Sequence, residues 1–350
     1  MSGPAAHGLS LIDVYRARSR IRGLTVRTPL VPSAALSRRA GSPVHLKLEN
    51  QQYTGSFKLR GALNALLALS PEERERGVVT VSTGNHGRAV AHACRMTGSR
   101  ATVCMSRLVP ANKVAAIEEL EARIVICGDG QDDAQLEAER LRAEEGLTFI
   151  PPFDHPEVIA GQATAGLEIA EQLVEARQGR GATDQPLQIL VPLSGGGLIS
   201  GVALAIKSLD PNSRVVGVSM ERGCAMYQCQ QAGGYRPVEE QESLADSLGG
   251  GIGADNRYTF AMVRELVDEI QLVGEEQIAA AIVHAYLEER QVVEGAAAVG
   301  IAALLRGPTA GSDRETVVLV SGANIDMELH RRLVARASTP ERELAAEGGD

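Results

Sequence analysis

The sequence has few of the features that would place it in a membrane, on nucleic acid or outside the cell. No apolar run among its 350 residues approaches the length that a bilayer-spanning helix requires. Residues 1–10 contain no basic segment followed by an apolar core, so no secretory signal is visible. The formal net charge of −9 argues against a nucleic-acid or anionic-membrane partner. We therefore expect a cytoplasmic protein that binds neither membranes nor nucleic acid.

Cysteine is too scarce and too scattered for a disulfide framework or a zinc site. The five cysteines are odd in number and mostly lie in or beside apolar segments, as buried free thiols do: Cys94, Cys104, Cys127, Cys224 and Cys229. There is no Cys-x-x-Cys pair and no cluster of histidines. These absences predict free thiols and no zinc.

What the sequence does contain is a regular alternation of short apolar strands and helical segments. Hydrophobic residues make up 44% of the chain, enough for a large core. Val- and Ile-rich runs predict strands at 44–48, 78–82, 101–105, 123–127, 188–191, 215–218 and 316–320. Helices are predicted at 10–20, 57–69, 86–97, 112–121, 132–144, 157–176, 198–208, 276–289 and 296–306. This alternation is typical of a doubly wound α/β fold, whose parallel sheet is covered by helices on both faces.

One lysine stands in an informative position, within Ser56-Phe57-Lys58-Leu59-Arg60-Gly61-Ala62. It lies between an aromatic ring and the start of a predicted helix, where its amine can form a Schiff base. Most lysines are solvated surface charges, so Lys58 alone establishes no chemistry. A second feature is needed to favour the catalytic interpretation.

That feature is a glycine-rich turn, Ser194-Gly195-Gly196-Gly197-Leu198, after the apolar run 189–193. Three glycines leave the backbone N–H groups unshielded, and the helix predicted from Leu198 adds the positive end of its dipole. Such a turn can bind a phosphate group. A lysine and a phosphate cup together suggest pyridoxal phosphate.

Nucleotide binding is the alternative interpretation of the glycines. A Walker loop requires a lysine after its glycines, and none lies between Ser194 and Ser200. Gly195, Gly197 and Gly201 fit the dinucleotide fingerprint only loosely, with Glu221 just beyond the next predicted strand. Dinucleotide binding therefore stays a minor alternative.

Four segments in the right order carry a family resemblance: Gln52 to Ala62, Ser82 to Gly87, Ser194 to Leu198 and Ser321 to Asn324. They resemble the motifs of the serine/threonine dehydratase and serine racemase family of fold-type II pyridoxal-phosphate enzymes. The resemblance implies a two-domain α/β fold that is tryptophan synthase β-like.

The same resemblance implies a division of the chain. Residues 1–70 and 154–335 would form a large cofactor-binding domain, residues 71–153 a small mobile domain, and residues 336–350 a flexible tail. The cofactor would lie in the cleft between the domains, where closure around a substrate can exclude water.

The resemblance also assigns the site. The residues implied to bind the cofactor are Phe57, Lys58, Asn85, Ser194, Gly195, Gly196, Gly197, Leu198, Glu294 and Ser321. Those implied to bind the substrate are Ser82, Thr83, Gly84, Asn85 and His86. Several have a structural interpretation as well, since Asn and Glu are common at helix starts and a serine that ends a strand often bonds nearby backbone. Structural support of the loop is the preferred role for His86.

The catalytic residues implied are Lys58 and Thr83. Lys58 would hold the cofactor and then take the Cα proton of the substrate, while Thr83 or the cofactor phosphate would protonate a departing β-hydroxyl. The family places Ser321 against the pyridine nitrogen, and a neutral hydroxyl there favours loss of a β-substituent over transamination. The predicted products are a 2-oxo acid and ammonia.

The chain departs from the family pattern at two places. Ala323 replaces the glycine usual in its motif. Ser219 and Met220 stand where relatives carry a glutamate that contributes to a divalent-cation site. Since magnesium and calcium prefer anionic oxygen ligands, we predict no metal here.

Within the family, residues 219–223 and 243–253 are most similar to hydroxyectoine-utilisation dehydratases. This likeness suggests a β-hydroxylated diamino acid as the substrate. Threonine or serine is the alternative substrate, and an amino-acid racemase or a non-catalytic pyridoxal-phosphate-binding protein is the alternative function. The family's habit suggests a homodimer.

Overall fold

Strands and helices alternate along the chain, as the sequence predicts. The computed structural model describes residues 8–82, 84–109, 111–177, 186–307 and 313–338, apart from the side chains of 111–113, 131 and 338. The strands are β1 (Leu30–Pro32), β2 (Val44–Leu48), β3 (Val78–Val81), β4 (Ala101–Met105), β5 (Arg123–Ile126), β6 (Thr148–Phe149), β7 (Leu187–Pro192), β8 (Arg214–Met220), β9 (Glu269–Val273) and β10 (Glu315–Val320). The helices are α1 (Leu11–Ile21), α2 (Ala34–Ala40), α3 (Lys58–Ala68), α4 (Pro71–Arg76), α5 (Asn85–Thr97), α6 (Ala111–Glu118), α7 (Gln131–Glu145), α8 (Pro156–Arg177), α9 (Gly197–Leu209), α10 (Ala225–Ala232), α11 (Thr259–Leu266), α12 (Glu275–Leu287), α13 (Gly295–Leu305) and α14 (Met327–Ser338).

In the described chain the strands form two sheets. The larger has the order β1-β2-β10-β7-β8-β9, in which β1 is antiparallel to β2 and the other neighbours are parallel. The smaller has the order β5-β4-β3-β6 and is parallel throughout. Its strands all lie inside the segment 71–153. The domain boundaries and the mobility of that segment stay predictions.

Every predicted strand and helix is present, with ends that differ by a few residues. The elements that were not predicted are β1, β6, β9, α2, α4, α10, α11 and α14. Most of these are short, so they carry too few residues for a clear hydrophobic period.

Helix α14 corrects one predicted boundary. It continues to Ser338, so residues 336–338 of the predicted tail are helical, and residues 339–350 lie outside the described part of the chain. The ring of His330 packs edge-on against Tyr286 of α12, at 5.0 Å between ring centroids. This tertiary contact fixes a helix whose own sequence is mostly polar.

The central strand β10 is buried on both faces. Val317 and Leu319 point into the core beneath α9, whereas Val318 and Val320 point into the core beneath α13. Successive side chains of a strand face opposite sides, so a continuous apolar run is what a doubly covered parallel strand requires.

Helices α3, α8 and α9 pack closely because glycines lie at their contacts. A Cβ built on Gly161 of α8 would lie 2.5 Å from the carbonyl oxygen of Arg60 in α3. One built on Gly201 of α9 would lie 2.5 Å from the carbonyl oxygen of Ile159 in α8. Backbone atoms cannot give way as a flexible side chain can, so these positions accept no larger residue.

A buried group of charges joins the same helices behind Lys58. The fully buried guanidinium of Arg60 donates to both oxygens of Glu49 at 2.8 Å and to Glu168 at 2.7 Å. Lys47 donates to Glu168 at 2.6 Å. Burial acts to raise the pKa of Glu49, but the charge and hydrogen bonds of Arg60 together with Lys47 and Thr28 outweigh it, so the pKa is lowered. All four charges are thus compensated, and they hold the first turns of α3 in one position.

We expect Gly161→Ala to destabilise the protein by roughly 1–3 kcal/mol, because the added methyl overlaps the backbone of α3. Denaturant unfolding followed by circular dichroism would measure this change. The control is Gly234→Ala, where an added Cβ meets nothing within 4 Å, and it should change stability by no more than about 0.5 kcal/mol. Equal stabilities for the two variants would show that α3 and α8 are not in backbone contact.

Candidate active site

The predicted motifs meet at one edge of the larger sheet. Strands β2, β10 and β7 are parallel neighbours, so their carboxyl ends lie side by side. The segments that follow these ends carry Lys58, Ser321 and the turn Ser194–Gly197. Ligands of open α/β sheets bind at this edge. The sheet topology therefore brings together residues that are far apart in sequence.

The lysine loop is bonded directly to the segment after β10. The N–H of Phe57 donates to the carbonyl oxygen of Ser321 at 3.1 Å, and the N–H of Ala323 donates to that of Gly55 at 2.8 Å. Ser56 and Gly322 form an antiparallel bridge between them. This short two-stranded contact fixes the start of α3, and hence Lys58, beside Ser321.

The side chain of Lys58 is half-buried, and its amine is nearly unpaired. Its Nζ donates to the carbonyl oxygen of Pro152 at 2.8 Å and lies 5.3 Å from the centroid of the Phe57 ring. Burial lowers the pKa of Lys58 to about 8, although the carboxylate of Glu294 acts in the opposite direction. A much larger share of this amine is therefore neutral near physiological pH than for an ordinary lysine.

The glycine turn forms the N-terminus of α9. Gly196 precedes the helix with a φ of +89°, and a Cβ on Gly195 would lie 2.4 Å from the ring of Phe153. Within the described chain, the N–H groups of residues 195–198 donate to no protein acceptor. Four free amides at the positive end of a helix dipole form a site for an anion such as phosphate.

Asn85, Glu294 and Asn324 form a hydrogen-bonded chain between the two sheets. Asn85 begins α5, and its Nδ2 donates to Oε1 of Glu294 at 2.8 Å. Asn324 donates through Nδ2 to Oδ1 of Asn85 at 2.6 Å and to the carbonyl oxygen of Thr54 at 2.9 Å. The side chain of Asn85 is thus held in place beside the buried carboxylate of Glu294.

The segment predicted to bind the substrate lies between β3 and α5. Ser82 accepts a hydrogen bond from the N–H of Gly84 at 3.3 Å, and Thr83 lies outside the described residues. His86 is buried, with Nε2 at 3.0 Å from the carbonyl oxygen of Ile150. Burial and the nearby charge of Lys58 lower the pKa of His86 to about 3. His86 is therefore neutral at physiological pH and anchors the segment.

These residues fit pyridoxal phosphate. The free amides of the turn suit its phosphate, and the half-buried lysine lies where an aldehyde could be held. Ser321 is buried, and its hydroxyl bonds to no acceptor or donor within the described chain. Leu198 and the half-buried Phe57 supply apolar surface for a ring.

Three contributors to the site carry no motif that sequence reasoning could have recognised. Phe153 packs against the glycine turn. The carboxylate of Asp154 accepts three backbone N–H bonds, from residues 257–259 at the start of α11. Arg88, in the first turn of α5, donates through Nη1 to Oδ1 of Asn324 at 2.7 Å. Each acts through a contact that exists only in the folded chain.

The position of the family's cation site lies at the end of β8. Ser219 and Met220 are buried there. Among the described residues no group of three or more His, Cys, Asp or Glu side chains could hold a metal ion. The absence of a metal at Ser219 stays a prediction. No helix in the described ranges is long and apolar enough to cross a membrane.

Comparison with known proteins agrees with this geometry. Residues 21–322 match the family described as pyridoxal-phosphate dependent enzyme. A Sinorhizobium fredii protein provisionally named a threonine dehydratase is 55% identical over 93% of this chain and 95% of its own length. The L-threonine ammonia-lyase of Thermotoga maritima is 39% identical over 93% of this chain and 78% of its own length. The L-threo-3-hydroxyaspartate ammonia-lyase of Saccharomyces cerevisiae is 36% identical over 92% of this chain and 95% of its own length.

A solved structure of maize serine racemase has a TM-score of 0.85 and 30% identity to this chain, and the match covers 96% of this chain and 98% of the racemase. The predicted fold class and cofactor are thereby confirmed, and dinucleotide binding is wrong. With the lysine, the glycine turn and Ser321 at one sheet edge, the chain belongs to the family of fold-type II pyridoxal-phosphate-dependent enzymes and is a lyase of the threonine dehydratase type.

Proposed function

We propose that the enzyme removes the β-hydroxyl group of a β-hydroxy amino acid and releases a 2-oxo acid and ammonia. The observation that carries this proposal is Lys58, whose amine has a lowered pKa and whose loop is hydrogen-bonded to the segment that carries Ser321. The names of the relatives support it, since they describe elimination from threonine and from 3-hydroxyaspartate.

Lys58 has two proposed roles at one atom. Its Nζ would hold pyridoxal phosphate and, once displaced by the substrate amine, would accept the Cα proton, because it is already adjacent to that carbon. When bound, the cofactor draws electrons from Cα and so makes this proton acidic. Burial favours the neutral form of the amine, and only that form can accept a proton.

The remaining residues would position the cofactor and the substrate relative to each other. The turn Gly195–Gly197, with Ser194 and Leu198, would bind the phosphate through backbone amides. Asn85, fixed by Glu294 and Asn324, would bond the 3′ oxygen of the pyridine ring. Ser82, Thr83, Gly84 and His86 belong to the segment proposed to hold the substrate carboxylate.

The electronic character of the site favours elimination over transamination. Ser321 would face the pyridine nitrogen with a neutral hydroxyl, which does not keep that nitrogen protonated as a carboxylate would. The Cα–H and Cβ–O bonds would break, and the hydroxyl would leave as water with a proton that Thr83 would donate, the cofactor phosphate being the alternative donor. The released enamine tautomerises and is hydrolysed to the 2-oxo acid and ammonia.

The proposed substrate is a hydroxy-diamino acid derived from hydroxyectoine, as the segments 219–223 and 243–253 suggest. Threonine or serine is the alternative substrate.

Racemisation is a second candidate function, because the maize serine racemase shares the fold over nearly all of both chains. We also propose a homodimer, and a small domain over residues 71–153 that closes on the substrate.

Replacing Lys58 with Ala should abolish both the visible absorbance of bound cofactor and ammonia release, because the covalent holder and the base are lost together. Absorbance spectra and a coupled ammonia assay would measure the two effects. Lys207→Ala is the matched control, since Lys207 lies on α9 in an ion pair with Asp268. A coloured and active Lys58→Ala variant would rule out the assignment.

Binding of pyridoxal phosphate to the apoenzyme should speed up with rising pH and level off above a midpoint near 8, because only the neutral amine of Lys58 attacks the aldehyde. Stopped-flow absorbance would record the rates. Since the Glu294 carboxylate raises this pKa, Glu294→Gln should move the midpoint to lower pH. A rate that keeps rising to the range of an ordinary lysine would contradict the lowered pKa of this amine.

Incubation with single β-hydroxy amino acids should yield ammonia and the 2-oxo acid in equal amounts, with little of the opposite enantiomer. Threonine, serine, 3-hydroxyaspartate and the opened hydroxyectoine derivatives form the panel, followed by chiral chromatography. Accumulation of D-serine from L-serine faster than ammonia would favour the racemase instead. Bound cofactor without ammonia release from any compound would favour a non-catalytic protein.

A further inference from the structure

Arg88 lies on the face of α5 that is turned towards the cofactor lysine. It follows Asn85 by three residues, and His92 follows one turn later on the same face. The ring of His92 stacks on Tyr53, at 6.2 Å between centroids, in the segment that leads to Lys58. Arg88 itself contacts Asn324, which bonds Asn85. The guanidinium is thus linked to Glu294 through three successive hydrogen bonds, by way of Asn324 and Asn85.

Arg88 has a charge that the described chain leaves uncompensated. It is half-buried, and its one hydrogen bond to a described residue reaches the neutral amide oxygen of Asn324. No carboxylate of the described residues forms an ion pair with it. By contrast, Arg20 pairs with Glu157 and Arg60 with Glu49. A guanidinium has five N–H donors, so Arg88 retains several for a ligand.

Space for a ligand is present at the same end of α5. Gly84 caps this helix, and a Cβ built on it would meet no heavy atom within 4 Å. The substrate carboxylate is proposed to bind in this segment, and Arg88 lies one turn further into α5, so a substrate side chain that extends along this turn would reach it. A cation there attracts a carboxylate or an amide oxygen and repels an ammonium group.

We infer that Arg88 is a specificity-determining residue that binds an oxygen acceptor on the substrate side chain beyond Cβ, as in a β-hydroxy amino acid with a second carboxylate. This inference rests on the proposed function and narrows its substrate class. Of the diamino acids proposed above, a form whose distal amine is acylated fits, because its carbonyl oxygen is an acceptor. A form with a free distal ammonium is disfavoured.

The test compares kcat/KM of the holoenzyme for L-threo-3-hydroxyaspartate and L-threonine. In Arg88→Gln this ratio should fall by about tenfold or more, the loss expected for a charge-assisted hydrogen bond. Arg88→Lys keeps the charge and should retain most of the preference. The matched control is Arg95→Gln, an exposed arginine on the same helix, which should leave the ratio as in the wild type.

A further comparison of substrates tests whether the site prefers an oxygen acceptor on the substrate side chain to a free ammonium group. The wild type should use the Nγ-acetyl form of 2,4-diamino-3-hydroxybutyrate in preference to the free diamino acid. An unchanged hydroxyaspartate to threonine ratio in Arg88→Gln would overturn the inference. Preference of the wild type for the free diamino acid would overturn it as well.

A binding measurement separates this inference from the proposed function. L-aspartate and L-2-aminobutyrate lack the β-hydroxyl, so their Kd values can be obtained from the change in visible absorbance without turnover. Arg88→Gln should weaken the binding of L-aspartate about tenfold more than the binding of L-2-aminobutyrate. If the wild type released no ammonia from any substrate, the proposed function would fail, while this titration would still support or refute an anion-binding Arg88.

Discussion

The site depends on one short backbone contact, between residues 55–57 and residues 321–323. The two N–H···O bonds of Phe57 and Ala323 pair Ser56 with Gly322 in an antiparallel bridge and so join the lysine loop to the end of β10. Because β10 is the neighbour of both β2 and β7, whatever is fixed to its end is also fixed relative to the glycine turn. This contact therefore positions Lys58 relative to both the phosphate cup and Ser321.

Burial then determines the chemistry of the groups that are brought together. The same desolvation that lowers the pKa of Lys58 to about 8 lowers that of His86 to about 3. Lys58 can therefore exchange a proton near physiological pH, whereas His86 stays neutral and only anchors its segment. Glu294 opposes the effect at Lys58 and at the same time orients Asn85. Burial in the same region of low dielectric thus gives neighbouring side chains different protonation behaviour and therefore different roles.

The buried charges behind the site have a different role. Arg60 and Glu49 carry full charges with no exposure, yet each has partners, so they orient α3 and take no part in the reaction. Arg88 differs because its charge meets only a neutral amide among the described residues. The contrast between compensated and uncompensated arginines distinguishes a structural residue from one that is available to a ligand.

Strand and helix positions follow largely from the sequence. The apolar run of β10 and the glycines before α9 are local signals, since a doubly covered strand needs side chains of one kind on both faces and a phosphate cup needs bare amides. Helix α14 and the short strands β1 and β6 were missed because long-range packing stabilises them. The amphipathic α14, for example, is fixed by the edge-on contact of His330 with Tyr286.

The sequence by itself determined the fold class and the cofactor and singled out the lysine proposed to hold it, because glycine turns and ordered motifs consist of residues that are neighbours in the chain. Only the tertiary structure decided which groups share the cleft and what charge each one has there. Hydrogen bonds such as Asn85 to Glu294 and Arg88 to Asn324 join residues more than two hundred positions apart. A pKa depends on burial and on neighbouring charges, and neither exists before the chain has folded.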